Sequence, residues 1–234
     1  STILAGDHET VAVSQVESGG WFGHSTLSEI GVKGKFFDGH LYFALAGYEQ
    51  ERVDINSNVA ESNEALRTEG LEFELRYLAS DKLALMATAA NMKVYRTGLN
   101  GALFTYLGAA DFPQVDPTLV FGGVVSGVAA VPDKVERGGI PENVYGLAIN
   151  YAATENVTAS ISATHVGSVE PSPLGGLVLP AYDLINASLS YENERFRAAL
   201  YINNLTDERY FRANLPGLYG NLTVLPEQPR SYFA

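Results

Sequence analysis

The sequence predicts an all-β chain whose antiparallel strands run up and down as part of a transmembrane barrel wall. Three observations predict it. Apolar and polar residues alternate with period two over many segments. Tight and long connections alternate strictly along the chain. Neither helical periodicity nor an apolar run of 18 or more residues occurs anywhere, which excludes a membrane-spanning helix and leaves strands as the spanning element.

Taken in order, Ile30, Val32, Gly34 and Phe36 alternate with Lys33 and Lys35. Beyond a tight turn at Asp38-Gly39, Leu41, Phe43 and Leu45 alternate with His40, Tyr42 and Ala44. Leu71, Phe73, Leu75 and Tyr77 then alternate with Glu72, Glu74 and Arg76, and Ser80-Asp81-Lys82 is the next tight turn. Tyr145, Leu147, Ile149 and Tyr151 oppose Gly146, Ala148, Asn150 and Ala152, and the chain turns again at Thr154-Glu155-Asn156. Val157, Ala159, Ile161 and Ala163 oppose Thr158, Ser160, Ser162 and Thr164, giving one face of apolar and one of hydroxyl side chains. Ile185, Ala187, Leu189 and Tyr191 oppose Asn186, Ser188 and Ser190 ahead of a turn at Glu192-Asn193-Glu194.

Between these turns lie long connections at roughly 56–66, 97–142, 169–180 and 207–228. A soluble sandwich also alternates, but its loops carry no such bias. Short, long, short, long puts every tight turn at one end of the wall and every long loop at the other. Strands of about 11 to 15 residues suit a tilted crossing of the bilayer. Aromatics near strand ends, at Tyr48, Tyr77, Tyr95, Tyr145, Tyr151, Tyr182 and Tyr191, suit interfacial girdles.

Composition agrees with this reading. Apolar residues make up 46% and charged ones 18%, with 23 Gly, 13 Tyr and 11 Phe, a balance that favours strands and turns over helices. A net charge of -12 argues against nucleic acid as a partner, since phosphate binding needs clustered cations. The absence of Cys excludes a disulfide framework and a thiolate metal site. Ser1 to Asp7 has neither an initiating Met nor a basic stretch, so no signal peptide is read there, and the chain is expected to begin inside a longer protein.

Chemistry-bearing residues are few. The four His residues have no metal-ligand spacing, and no nucleophile elbow, phosphate loop or Ser/His/Asp ordering occurs, so no catalytic residue, metal or cofactor is assigned and no enzyme is expected. Glu69, Glu72, Glu74 and Arg76 resemble an acid/base or hard-cation cluster, but alternate charges on a strand are better read as the wetted wall of a lumen. The connection 97–142 is longer than a link needs and carries Phe104, Tyr106, Phe112 and Phe121, aromatics suited to stacking on a ligand at a barrel mouth or to packing the loop itself. In the last long connection Arg209, Arg212 and Tyr219 are placed to meet an anionic ligand or to form salt bridges of their own.

Four segments resemble a known family. Leu179 to Tyr191 is similar to a strand near the end of TonB-dependent outer-membrane receptors. Leu200 to Phe211 follows it with Asn203, Asn204, Leu205, Asp207 and Tyr210 in the family's "N-N-L-x-D-x-x-Y" pattern. Pro229 and Arg230 resemble the "P-R-x-Y" entry to the final strand, and Glu69, Gly70, Glu72 and Glu74 resemble a "G-x-E-x-E" strand upstream. Thr206 stands where the family commonly has Phe. From the residues alone, Asn203 and Asn204 are expected to bond backbone groups at a strand end. Asp207 is expected to cap a helical turn through Glu208, Arg209 and Tyr210.

The resemblance implies that residues 1–234 are the C-terminal part of one barrel domain, about nine of 22 strands, with the plug domain and first barrel half outside the chain. It further implies an outer-membrane location with lipid around the wall, a small ligand such as a ferric siderophore, and energy from the TonB complex through the missing N-terminal region. A small adhesin or structural barrel without transport, and a soluble all-β binding module, are the alternatives.

Overall fold

A computed structural model describes residues 2–4, 22–54, 64–97, 102–107, 125–130, 132, 134–171, 178–212 and 225–234. The strands are β1 (Thr2–Leu4), β2 (Phe22–Phe36), β3 (Leu41–Asp54), β4 (Glu64–Ser80), β5 (Leu83–Thr97), β6 (Ala102–Leu107), β7 (Val125–Ala130), β8 (Val135–Glu136), β9 (Asn143–Ala152), β10 (Val157–Val166), β11 (Tyr182–Glu192), β12 (Arg197–Asn203), β13 (Phe211–Arg212), β14 (Leu225–Pro226) and β15 (Ser231–Phe233). One sheet runs in the order β1-β2-β3-β4-β5-β9-β10-β11-β12-β15, with β8 added to β5. Its pairings are antiparallel throughout, and the sheet is open, with β1 and β15 at its two edges. The nine expected strands are β2 to β5, β9 to β12 and β15; β1 is an addition the alternation did not foresee.

The register carries the two faces across the whole wall. Val32 pairs with Leu45, Leu45 with Phe73 and Phe73 with Ala89. Further along, Leu85 pairs with Ile149, Ile149 with Ile161 and Ile161 with Ala187. Every strand from β3 to β5 and from β9 to β11 contributes about four alternate apolar positions to this face, roughly 20 Å along the strand. Among the described residues no second layer covers it: Ile30, Leu71, Leu147 and Leu189 are 82%, 56%, 47% and 53% exposed. A soluble sandwich buries such a face against a second sheet; a barrel wall presents it to lipid. The opposite face is polar or small, running from Lys33, Ala44, Glu74 and Thr88 to Gly146 and Thr164 in one register row.

Side chains build the tight turns. Thr154 Oγ1 accepts hydrogen bonds from the amides of Asn156 and Val157 at 3.2 and 3.0 Å. Asn193 Oδ1 accepts from Arg195 and Phe196 at 2.8 and 3.0 Å. Between β2 and β3, Phe37, Asp38 and Gly39 all take positive φ (54°, 56° and 90°), closing the hairpin through Gly39 N to Phe36 O at 3.1 Å. Gly is at home there and Asp tolerates it.

Several expectations are corrected. Strand lengths spread more widely than expected, from 17 residues in β4 to 10 in β9 and β10 and 7 in β12. Glu69 does not share a face with Glu72 and Glu74. Its parity is that of Leu71 and Phe73, and it pairs with Glu49 and Lys93 on the outward side. Tyr48 and Tyr182 leave the girdle for the inner face, since they pair with Gly70 and Val166. The connection 97–142 contains short strands of its own: β6 and β7 form a separate ribbon, and β8 extends the main sheet beside β5. No helical turn follows Asp207.

Candidate functional site

Because β2 to β5, β9 to β12 and β15 are consecutive antiparallel neighbours, all their long connections converge at one rim. Two of these are stitched together. Arg137 N donates to Val94 O at 2.7 Å and Gly139 N to Glu170 O at 2.8 Å, while Gly167 N donates to Asn143 O at 2.8 Å. Val169 and Leu179 exchange both backbone hydrogen bonds, at 3.0 and 2.8 Å, and both are buried. The approach is tight enough to require glycine. A Cβ on Gly138 would lie 2.6 Å from the carbonyl oxygen of Pro171, which is backbone and has no room to give. The stitched segments enclose a cleft of about 570 Å³ lined by Arg137, Ile140, Glu142, Ser168 and Glu170. The Arg137-Gly138-Gly139 corner was missed in the sequence; a Gly pair beside a cation within a long connection is the signal that marks it.

The second ordered feature of the rim is a clasp made by the two C-terminal family motifs. Asn204, only 4% exposed and with φ of 53°, sits at its centre. Its amide donates to Asn186 Oδ1 at 2.9 Å. Its Nδ2 donates to Glu208 O at 2.9 Å and Gln228 O at 3.4 Å, and its Oδ1 accepts from Glu208 N at 2.8 Å. Asp207, also at positive φ, accepts the Arg230 amide at 2.9 Å, and Arg230 Nη1 reaches back to Leu205 O at 3.2 Å. Tyr210 is buried with its ring 4.5 Å from that of Tyr182. The motif therefore ties the end of β12 to the entry of β15 and to β11, and Pro229, without an amide hydrogen, precedes the amide that Asp207 takes. Asn203 is in the ladder, opposite Ser231. A loop clasp therefore stands where a helix cap was expected.

Among the ligand candidates, Phe104 and Tyr106 belong to β6, opposite Val128 and Ser126 of β7. Phe112 and Tyr219 lie outside the described residues. Arg209 is exposed and makes no ion pair among the described residues. Arg212 Nε lies 3.1 Å from Glu227 Oε1 across the small β13–β14 ribbon, so its charge already has a partner. On the inner face, Glu74 pairs with Arg76, whose guanidinium stands 5.9 Å from the centre of the Tyr42 ring. The ring of Tyr48 covers Gly70, where an added Cβ would meet it at 2.8 Å. The described residues include no group of three or more His, Asp or Glu able to hold a metal ion.

With this geometry in hand, the likenesses to known proteins are informative. Residues 24–205 match the family described as "TonB dependent receptor-like, beta-barrel". A search of the curated proteins finds no match. Solved structures similar to the chain include the siderophore receptor PiuA from Acinetobacter baumannii. That match has 19% identity and a TM-score of 0.60, covering 89% of this chain and 27% of that one. The closed form of the ferric-catecholate import receptor Fiu from E. coli K12 matches at 18% identity and a TM-score of 0.61, covering 98% and 29%. The ferric yersiniabactin uptake receptor FyuA from Yersinia pestis matches at 14% identity and a TM-score of 0.62, covering 91% and 29%. The chain thus spans less than a third of the length of these receptors.

Proposed function

The chain belongs to the TonB-dependent receptor β-barrel family of outer-membrane proteins, and from that premise we propose that it forms the C-terminal part of a receptor that takes up a ferric siderophore, with energy drawn from TonB. The observation that carries this reading is the one-sided rim. Every long connection of the wall gathers at one end, above a polar inner face that leads away from it.

Ligand is met at that rim. The segment 97–142, with Phe104, Tyr106 and Phe112, supplies aromatic surface for an iron-binding catecholate or a similar flat group. Arg209 and Tyr219 supply a cation and a phenol for its anionic charge. Arg212 is the weaker contributor, because meeting a ligand means leaving Glu227. In this reading energy coupling belongs to an N-terminal plug and its TonB-contact segment, which are not part of this chain. The inner face of this chain is the wall along which that plug would stand.

The test is growth and radiolabelled ferric-siderophore uptake under iron starvation, using the full-length receptor with 97–142 shortened to a tight turn. Uptake falling to background, with the barrel still folded and inserted, is the expected outcome. Undiminished uptake removes that segment from the mechanism. A receptor that never supports growth on any ferric siderophore removes the substrate class.

A further inference from the structure

The stitched segments and the clasp are joined to each other. Leu179, locked to Val169 by two backbone hydrogen bonds, leads directly into β11, which starts at Tyr182. The Tyr182 ring lies 4.5 Å from that of Tyr210, which is buried in the last connection. Tyr210 O accepts from Glu227 N at 3.1 Å, and Leu205 N donates to Ile185 O at 2.6 Å, tying that connection to itself and to β11. The described parts of the β5–β9, β10–β11 and β12–β15 connections are therefore held in one unbroken series. The links between connections are backbone hydrogen bonds and one ring pair. None of them is an ion pair, so salt does not screen them.

The longest connection has both its feet on one strand. Tyr95 pairs with Glu136 and Arg96 with Val135, so the chain that leaves β5 at Thr97 comes back beside its point of departure. Val94 and Val135 are buried at this base. Between the feet lies the β6–β7 ribbon, which carries Phe104 and Tyr106. The returning foot is held from two sides: Arg137 N donates to Val94 O at 2.7 Å, and Gly139 N to Glu170 O at 2.8 Å. Gly138 stands between these bonds. A Cβ there would lie 2.6 Å from the Pro171 oxygen and 2.9 Å from the Glu170 oxygen. Both are backbone, so any side chain at 138 must push the foot and the β10–β11 connection apart.

We propose that the three connections form one fixed collar and that Gly138 is a positioning residue in it, setting the foot from which the β6–β7 ribbon is presented at the rim. The inference rests on the reading that this connection meets ligand. A collar built before ligand arrives removes the ordering cost that a free loop incurs on binding. It also couples the connections, because displacing one foot displaces the segments bonded to it. Gly138 touches no ligand in this account. Its substitution loses affinity through position alone, with no ligand contact removed.

The test compares Gly138→Val with Gly47→Ala, the control, in the full-length receptor. Spin labels on Thr105→Cys in β6 and Ser168→Cys beside the stitch should give one narrow distance distribution, which Gly138→Val shifts and broadens. Amide exchange at Gly139, Val169 and Leu179 should rise together, by at least about five-fold. Uptake of a ferric tris-catecholate by cells carrying the variant should show KM raised about five-fold with Vmax unchanged. Gly47→Ala should keep the parent's values throughout. Should Gly138→Val fail to fold by heat-dependent electrophoretic mobility, Gly138→Ala must give the same changes at smaller size, with KM raised about two-fold. Distances that stay put, or exchange that rises at Gly139 alone, overturn the collar. Altered distances with an unchanged KM overturn the positioning role. A parent receptor that takes up no ferric tris-catecholate counts against that substrate class alone, and the distance from Thr105 to Ser168 then decides the inference.

Discussion

The two halves of the wall share an outer face and differ in everything else. Strands β2 to β5 are 14 to 17 residues long, whereas β9 to β12 are 7 to 11. The extra length lies on the loop side: β3 runs on to Asp54, β4 starts at Glu64 and β5 ends at Thr97, while β9 begins at Asn143 and β10 ends at Val166. The apolar band has about the same depth in both. Its depth is imposed by the bilayer, which is one thickness everywhere. Height above it is free to vary, because paired backbone is as well satisfied in water as in lipid. The tall half carries charge inside, at Lys33, Lys35, Glu72, Glu74 and Arg76. The flush half carries Gly146, Ser160, Ser162, Thr164 and Ser188, and finishes its rim with the stitched loops instead of strand.

The largest expected effect attacks what the halves share. Leu147→Arg places a charge in the middle of the outward band and should cost about 2–4 kcal/mol. Ser162→Arg, at similar depth but facing inward, should cost under about 1 kcal/mol, because the lumen is wet. Urea titration of the full-length receptor folded into vesicles measures both, and a larger loss at Ser162→Arg than at Leu147→Arg would mean that the faces have been assigned the wrong way round.

The next effect falls on the clasp. Asn204→Ala removes a buried amide with three side-chain hydrogen bonds and should cost about 1–3 kcal/mol. Asn204→Gly keeps the left-handed backbone comfortable while losing the same bonds, so the difference between the two variants isolates the strain, about 1 kcal/mol. If Gly rescues the full loss, the hydrogen bonds are idle. Two glycines, one at the flush half's rim and one in the tall half's apolar band, give a pair of smaller size. Gly138→Ala meets Pro171 backbone at 2.6 Å in the flush half, whereas Gly47→Ala in the tall half meets the Leu71 side chain at 3.4 Å and backbone no nearer than the Gly70 carbonyl at 4.0 Å. The first should cost about 1–3 kcal/mol and raise hydrogen exchange at the Gly139 amide; the second should cost under about 0.5 kcal/mol.

Much of this was legible in the sequence because a barrel wall is a local object. Period-two alternation fixes each strand's faces without reference to the rest of the fold, and the turn residues at Asp38-Gly39 and Asn193 set the connectivity. Errors arose where a neighbour decides. Reading Glu69 with Glu72 and Glu74 ignored parity; the partners Glu49 and Lys93 put it outside. The height difference between the halves depends on pairing above the bilayer, which alternation near the band does not encode. Asp207 looked like a helix cap because Asp before Glu-Arg-Tyr is a local signal, yet its partner is the amide of Arg230, 23 residues on. The Gly138 corner depends on a backbone carbonyl 33 positions away, a contact invisible to any local pattern.

The smallest effect separates the inner walls. Arg76 is 65% exposed, paired with Glu74 and set 5.9 Å from the centre of the Tyr42 ring. Arg76→Gln should therefore cost under about 1 kcal/mol in a wetted lumen, since solvent screens both the ion pair and the ring contact. Ser162→Ala, its counterpart in the flush half, should be neutral within about 0.3 kcal/mol. Both are read from urea midpoints of the full-length receptor, at low and at high salt. A loss at Arg76 beyond about 2 kcal/mol that salt leaves unchanged is the mark of a charge taken out of water. It would mean that another part of the receptor covers the tall half's inner wall and leaves the hydroxyl-lined half open, which would turn a difference in composition into a division of labour between the two.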